Sequence, residues 1–175
     1  ISKKSEKFIR ERHIIDCAQA IDFIDEKDKK CIDIGSGAGL PGIVLAILLK
    51  GKKSDMEFVL YEKSYHKAKF LREVSGKLSL KTRVIEKNVF EEKNILADTV
   101  ISRAFKPLPE LLELVSNNFK KIKNLIVFMG ANGEKILDSS KIKWKFSFEK
   151  KLSVTNENSF ILNIKNLKRV QWRFK

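Results

Sequence analysis

The sequence has only two cysteines, two histidines and three prolines among its 175 residues, and each scarcity removes a class of explanation. Two thiols cannot build a disulfide framework. Cys17 and Cys31 each sit among apolar neighbours and read as buried thiols of a cytoplasmic protein. No Cys/His cluster with ligand spacing is present, so no metal is expected. Long apolar runs are also missing: the longest, Ile43 to Leu49, falls far short of the roughly 20 residues that cross a bilayer, and no membrane partner is expected. A Walker lysine after a glycine loop and a serine elbow are both absent. The start, ISKKSEKFIRERH, has neither Met nor the apolar core of a secretory signal, and reads as an incomplete or trimmed N-terminus.

What the chain has in excess is positive charge. Lys and Arg number 36 against 22 Asp and Glu, a formal net charge of +14. Such an excess raises the local concentration of any polyanion, with RNA or DNA foremost. A lysine-rich solvated face produced by A/T-rich coding accounts for the charge equally well, so charge alone leaves the partner open.

Hydrophobic periodicity organises the rest. His13 to Ile24 carries Ile14, Ile15, Ala18 and Ile21 at helical spacing and predicts an amphipathic helix closing a basic segment, 1–28. A single domain, 29–175, then follows. Strands are predicted at Cys31 to Ile34, Phe58 to Tyr61, Thr82 to Ile85, Thr99 to Ser102, Leu125 to Met129, Trp144 to Phe148 and Phe160 to Ile164. Between them lie helices at Ile43 to Lys50, Tyr65 to Leu78, Pro107 to Phe119 and around Glu134 to Leu137. Alternating strands and helices joined by short turns imply an α/β fold with a parallel sheet covered on both faces. The last two strands are joined through Asn156-Glu157-Asn158, too short for a crossover, which makes them an antiparallel hairpin.

The segment Cys31–Gly42, CIDIGSGAGLPG, places four glycines in eight positions directly after the first strand. A backbone stripped of side chains there lets a ligand approach closely. Gly37-Ala-Gly39-Leu-Pro-Gly42 fits the dinucleotide pattern, and Glu62 lies twenty residues past Gly42, where a ribose-binding acid belongs. Tyr65 and Lys69 add the spacing of a short-chain dehydrogenase, or are two solvated helix residues. Against a nicotinamide enzyme stands Asp33, two residues before Gly35, which would repel a pyrophosphate and suits a methionine ammonium group. With S-adenosylmethionine, Gly35, Gly37 and Gly39 would let the loop pass under the cofactor, Asp33 would face its amino-acid end, and Glu62 would accept from the ribose hydroxyls.

Four strings taken together resemble the glucose-inhibited division protein B family: Arg12-His-Ile-Ile-Asp-Cys17, DIGSGAGLPGI, Lys67-Ala-Lys-Phe-Leu-Arg-Glu-Val74 and Ile101-Ser-Arg-Ala-Phe105. The resemblance implies a class I S-adenosylmethionine-dependent methyltransferase, a Rossmann-like fold with a seven-stranded, mostly parallel sheet ending in an antiparallel hairpin. It implies methylation of N7 of a guanine near the decoding region of 16S ribosomal RNA, on naked RNA or on the small ribosomal subunit. The cofactor-binding residues it implies are Gly35, Leu40, Val89, Phe90 and Arg103, with the adenine held at Val89 and Phe90. Two departures accompany it: less helical chain before Arg12, and Met129-Gly130 where the family tends to have Lys-Gly, so that Lys135 becomes a candidate substitute.

The chemistry of N7 agrees with what the chain lacks. Neither cysteine stands at the end of the fourth strand to attack a pyrimidine, and no Asn or Asp is followed by Pro-Pro and an aromatic for amine methylation. Guanine N7 has an exposed lone pair and no proton, and needs no general base. Arg103 is the residue expected to fix cofactor or base geometry, with Ser102 in support. Phe105 stacks on a base or packs in the core, His13 with Asp16 forms a structural pair or a catalytic one, and His13 is also a candidate RNA contact. Further phosphate contacts are expected from Lys3, Lys4, Arg10, Arg12, Lys168, Arg169 and Arg173. A monomer is expected. The competing readings are a small NAD(P)-dependent oxidoreductase and a non-catalytic RNA-binding domain on the same scaffold.

Overall fold

The computed structural model describes residues 10–170. In chain order its strands are β1 (Lys30–Ile34), β2 (Glu57–Tyr61), β3 (Thr82–Ile85), β4 (Ile95–Leu96), β5 (Thr99–Ser102), β6 (Phe119–Lys120), β7 (Asn124–Met129), β8 (Trp144–Leu152) and β9 (Phe160–Arg169). The helices between them are α1 (Gly42–Gly51), α2 (Tyr65–Lys77), α3 (Leu108–Asn118) and α4 (Gly133–Ser140).

Seven strands form one sheet in the order β3-β2-β1-β5-β7-β9-β8. Neighbours from β3 to β7 run parallel, while β9 is antiparallel to both β7 and β8. The Rossmann-like sheet and its closing hairpin therefore stand as expected. The small parallel pair β4–β6 was not foreseen, because two-residue strands carry no alternation to read.

The core divides by strand parity, since successive side chains leave a sheet on opposite faces. Ile32, Ile34, Val59, Val100, Leu125, Val127 and Leu162 pack with Leu111, Leu112 and Val115 of α3 on one face. Cys31, Phe58, Leu60, Ile101, Ile126 and Ile161 pack with Leu45 and Leu49 of α1 and Leu71 of α2 on the other. Strands buried on both faces explain the near-continuous apolar runs of β1, β2 and β7.

The N-terminal helix is less regular than its spacing predicts. It runs as a wide π-helical stretch (Arg10–Ile15), a single α-turn (Asp16–Ala18) and a 3-10 stretch (Gln19–Phe23). Its buried stripe is Cys17, Ala20 and Ile24, whereas Ile14 and Ile15 stay exposed. The face is turned because Asp16 and Gln19 bond to the β8–β9 loop, and the small Cys17 and Ala20 let the helix approach the core. The segment thus adds to the core of the domain it precedes.

Candidate active site

In the sheet order, neighbours on the two sides of the β1–β5 boundary follow from crossovers in opposite directions, and a crevice opens at the carboxyl ends of these two strands. The glycine loop leaves β1 there, and Arg103, Ala104 and Phe105 leave β5. A cavity of about 370 Å³ lies between them, lined by Gly35, Gly37, Leu40, Glu62, Val89, Arg103 and Phe105, among others.

Backbone bonds hold the loop in place. Gly35 and Ser36 both donate to the Tyr61 carbonyl at 3.0 Å, which carries the β1–β2 ladder past the end of β1. Gly35 has φ +71°, and a Cβ added there would collide with the Phe105 ring. Gly37 has φ +56°, and its Cβ would meet nothing nearer than the Gly35 carbonyl oxygen at 3.8 Å, so it would stand in open space. These two positions bring bare backbone to the cavity, one by admitting Phe105 and one by leaving room.

Glu62, at the end of β2, is only 7% exposed yet lines the cavity. Its Oε2 accepts from Gly37 N at 2.9 Å and its Oε1 from Ser64 N at 2.8 Å. Each oxygen keeps a further lone pair for ligand hydroxyls. Acceptor lone pairs, the bare backbone at Gly37 and the apolar Leu40 and Val89 fit an adenosyl cofactor of the S-adenosylmethionine type.

Arg103 reaches the other wall. Its Nη2 lies 3.2 Å from His13 Nδ1 and 3.4 Å from Asp16 Oδ2, and its guanidinium sits 5.8 Å from the Phe128 ring centroid. A guanidinium only donates, so His13 Nδ1 is the acceptor. Past Arg103 a second cavity of about 320 Å³ opens at the ends of β5 and β7, lined by Ser102, Lys106, Phe128, Met129 and Asn132, and it shares Ala104 with the first.

Three expected cofactor contacts do not lie on the cavity wall. Asp33 is 1% exposed and accepts from Gly42 N at 3.0 Å through Oδ2, while Oδ1 has no partner among the described residues. It anchors the start of α1 beneath the loop. Burial pushes its pKa up to about 7, against the pull of the Gly42 N–H. Gly39 packs under Ile43 and Leu71. Phe90 turns toward a separate groove with Lys93 and Trp144, because in the 3-10 turn Val89–Glu91 successive side chains point about 120° apart. Val89 alone of that pair reaches the cofactor cavity.

Comparison with known proteins gives this geometry a family. A family model described as rRNA small subunit methyltransferase G matches residues 1–164. The "Ribosomal RNA small subunit methyltransferase G" of Pelagibacter ubique is 52% identical over 171 residues, 97% of this chain and 80% of that protein. The like-named protein of Ruegeria sp. is 32% identical over 170 residues, 97% of this chain and 82% of that one. This chain belongs to the rRNA small subunit methyltransferase G family. Its fold is shared more widely. A SAM-dependent methyltransferase from Aquifex aeolicus superposes with a TM-score of 0.66 at 13% identity, covering 90% of this chain and 92% of that one. M. capricolum TrmK, solved with S-adenosyl-homocysteine, gives 0.63 at 18% identity, covering 85% and 66%.

Within this methyltransferase fold the expected RNA contacts scatter. Phe105 lies against Gly35 inside the cofactor cavity, partly packed on the core. His13 is tied to Arg103. Lys135 stands exposed on α4 and lines neither cavity. Lys168 and Arg169 belong to β9 beyond Ile164, which pairs with Leu125 at the start of β7, so both lie toward the sheet end away from the cavities. Arg169 bonds Glu113 and covers Trp144 there. Lys3, Lys4 and Arg173, and the side chains of Arg10 and Arg12, lie outside the described residues.

The chain's own reading missed Lys63, Lys67 and Lys87 on the first cavity and Lys106 on the second. Lys63 follows Glu62 directly and Lys106 follows ISRAF, so adjacency to a motif was the available signal. Tyr65 is 58% exposed and, like Lys69, lies off the cavity wall, which leaves the dehydrogenase spacing without a site. Cys17 and Cys31 are both buried and free. Burial pushes the Cys17 thiol up to about 12 and Cys31 well above its ordinary value, so neither is a nucleophile.

Proposed function

We propose that this protein methylates N7 of a guanine near the decoding region of 16S ribosomal RNA. Membership of the family makes it an S-adenosylmethionine-dependent rRNA methyltransferase; the N7 position is our reading of the site. The observation that carries it is the pair of cavities meeting at Ala104, with Arg103 on the wall of the first and, among the described residues, neither Cys nor His lining either.

When bound, the cofactor supplies a sulfonium methyl; the N7 lone pair forms the new C–N bond as the C–S pair returns to sulfur, and no proton leaves. The residues therefore have positioning to do rather than proton transfer, a contribution worth roughly 7–11 kcal/mol in well-oriented reactions. Glu62 would take the ribose hydroxyls, Leu40 and Val89 would flank apolar parts of the cofactor, and Arg103 would fix the geometry between the two cavities. The second cavity, with Phe128 and Met129 on its wall, would receive the base.

Radiolabelled methyl transfer to unmodified small subunits and to naked 16S RNA, followed by borohydride and aniline cleavage, tests the reading. A single cleavage at a guanine is the expected result, and label that gives no cleavage would overturn N7. Calorimetry separates the competing activity: S-adenosylhomocysteine binds the parent, and binds Gly37→Leu at least about tenfold more weakly because the side chain enters the space beneath the cofactor. Binding of NADH in place of S-adenosylhomocysteine would sink the methyltransferase reading of the site.

A further inference from the structure

Arg103 is held in part by a network that lies off both cavities. Asp16 Oδ2 faces Arg103 Nη2 at 3.4 Å, and the two side chains are 13% and 19% exposed. The other oxygen, Oδ1, accepts from Ser153 Oγ at 2.8 Å, from Thr155 Oγ1 at 3.4 Å and from Gln19 Nε2 at 3.3 Å. Gln19 in turn accepts from Val154 N at 2.9 Å through Oε1. Ser153, Val154 and Thr155 form the start of the loop between β8 and β9. One carboxylate thus joins three distant parts of the chain: the N-terminal helix, the end of β5 and the closing hairpin.

We infer that Asp16 is a positioning residue for methyl transfer: it fixes the Arg103 guanidinium against the cavity wall, and the β8–β9 loop fixes Asp16. The inference rests on the reading above that Arg103 sets cofactor or base geometry. The physical reason is the freedom of the side chain. An arginine has four torsions to order, and a neutral ring nitrogen at His13 Nδ1 and the Phe128 ring hold the guanidinium less strongly than a charged partner does. Asp16 adds a carboxylate contact at low exposure, where a charged bond is strong. A guanidinium ordered before the substrate arrives need not be ordered in the transition state, and a misplacement of about 1 Å in such a group can cost about a hundredfold in rate. Asp16, Ser153 and Thr155 line neither cavity, and the contact of Asp16 with Arg103 links them to the first.

The test is a double-mutant cycle on the full chain, read as kcat and KM for methyl transfer to unmodified small subunits, with melting temperatures alongside. Asp16→Asn keeps an acceptor for Ser153 and removes the charge that faces Arg103. We expect kcat to fall about tenfold or more with a melting temperature close to the parent's, Asp16→Glu to recover part of the loss, and Asp16→Asn to have no further effect in an Arg103→Ala background. An undiminished kcat in Asp16→Asn, or the same fold loss in both backgrounds, overturns the inference while leaving Arg103 in place. Full activity of Arg103→Ala overturns the reading of Arg103 itself, and the inference falls with it. Should Asp16→Asn fail to fold, Ser153→Ala makes the same comparison, since it removes the 2.8 Å bond from the loop to Asp16 and leaves the carboxylate itself in place. A smaller loss that vanishes in the Arg103→Ala background supports the inference, and one that persists overturns it.

Discussion

At the scale of single residues, Asp33 makes the fold sensitive to pH. In the unfolded chain its carboxyl titrates near the ordinary value of 3.8, and in the folded protein at about 7, because burial disfavours the charge. Between those values the folded state holds a proton that the unfolded chain releases. The stabilisation this gives is complete below about pH 4 and is lost as pH rises through 7. From pH 5 to pH 8 the parent should therefore lose about 3 kcal/mol relative to Asp33→Asn, as read from urea unfolding at the two values. Parallel pH dependences would show a carboxylate ionised throughout. Asp33 also marks a limit of sequence reading. Its place before the glycine loop was legible, but whether its oxygens turn outward to a ligand or inward to Gly42 depends on how α1 docks.

At the scale of elements, that docking depends on a missing methyl group. A Cβ on Gly42 would lie 2.5 Å from Asp33 Oδ2 and 2.7 Å from Leu60 Cδ2, so α1 can meet β1 and β2 this closely only through glycine. Gly42→Ala should cost about 1–3 kcal/mol, the usual range for an overpacked core contact. By contrast Gly76→Ala, on α2 where nothing lies within 4 Å, should gain about 0.5–1 kcal/mol from reduced backbone freedom. Denaturant midpoints distinguish the two signs.

Short β-branched runs bounded by polar residues were readable to the residue: β3 and β5 begin and end where those runs do. The hairpin strands extend beyond their predicted ranges, β8 by Glu149–Leu152 and β9 by Lys165–Arg169. Six of those nine residues are charged and none is buried, and they are strand because the opposite strand offers its backbone, as in Lys150 with Leu162 and Lys145 with Lys168. A ladder of that kind is a property of two segments and is invisible in either one. The same holds more strongly for the site. The glycine loop and Glu62 could be matched by spacing, whereas the bond from Asp16 to Ser153 joins residues 137 positions apart and follows from no local pattern.

At the scale of the whole molecule, the excess of 14 positive charges has a measurable consequence. RNA binding should weaken steeply with salt, with a slope in log K against log salt of about −0.7 to −0.9 per phosphate neutralised. Binding of S-adenosylhomocysteine, which carries no phosphate, should hardly respond. Lys106→Ala, at the rim of the second cavity, should reduce the RNA slope by about one. A slope equal to the parent's would remove Lys106 from the interface.

The reversal of β9 bears on the moment at which the protein becomes an enzyme. A chain made from its N-terminus completes β1, the glycine loop and β5 early, so the cofactor crevice has all its walls while β7 still presents an unpaired edge. The Asp16 clamp closes only after Ser153 and Thr155 have been synthesised and the hairpin has folded back. A nascent chain halted before β8 would hold a pocket for the cofactor and an arginine lacking the loop that steadies its carboxylate. Competence to bind would then precede competence to react, and the last strands laid down would act as the switch between the two.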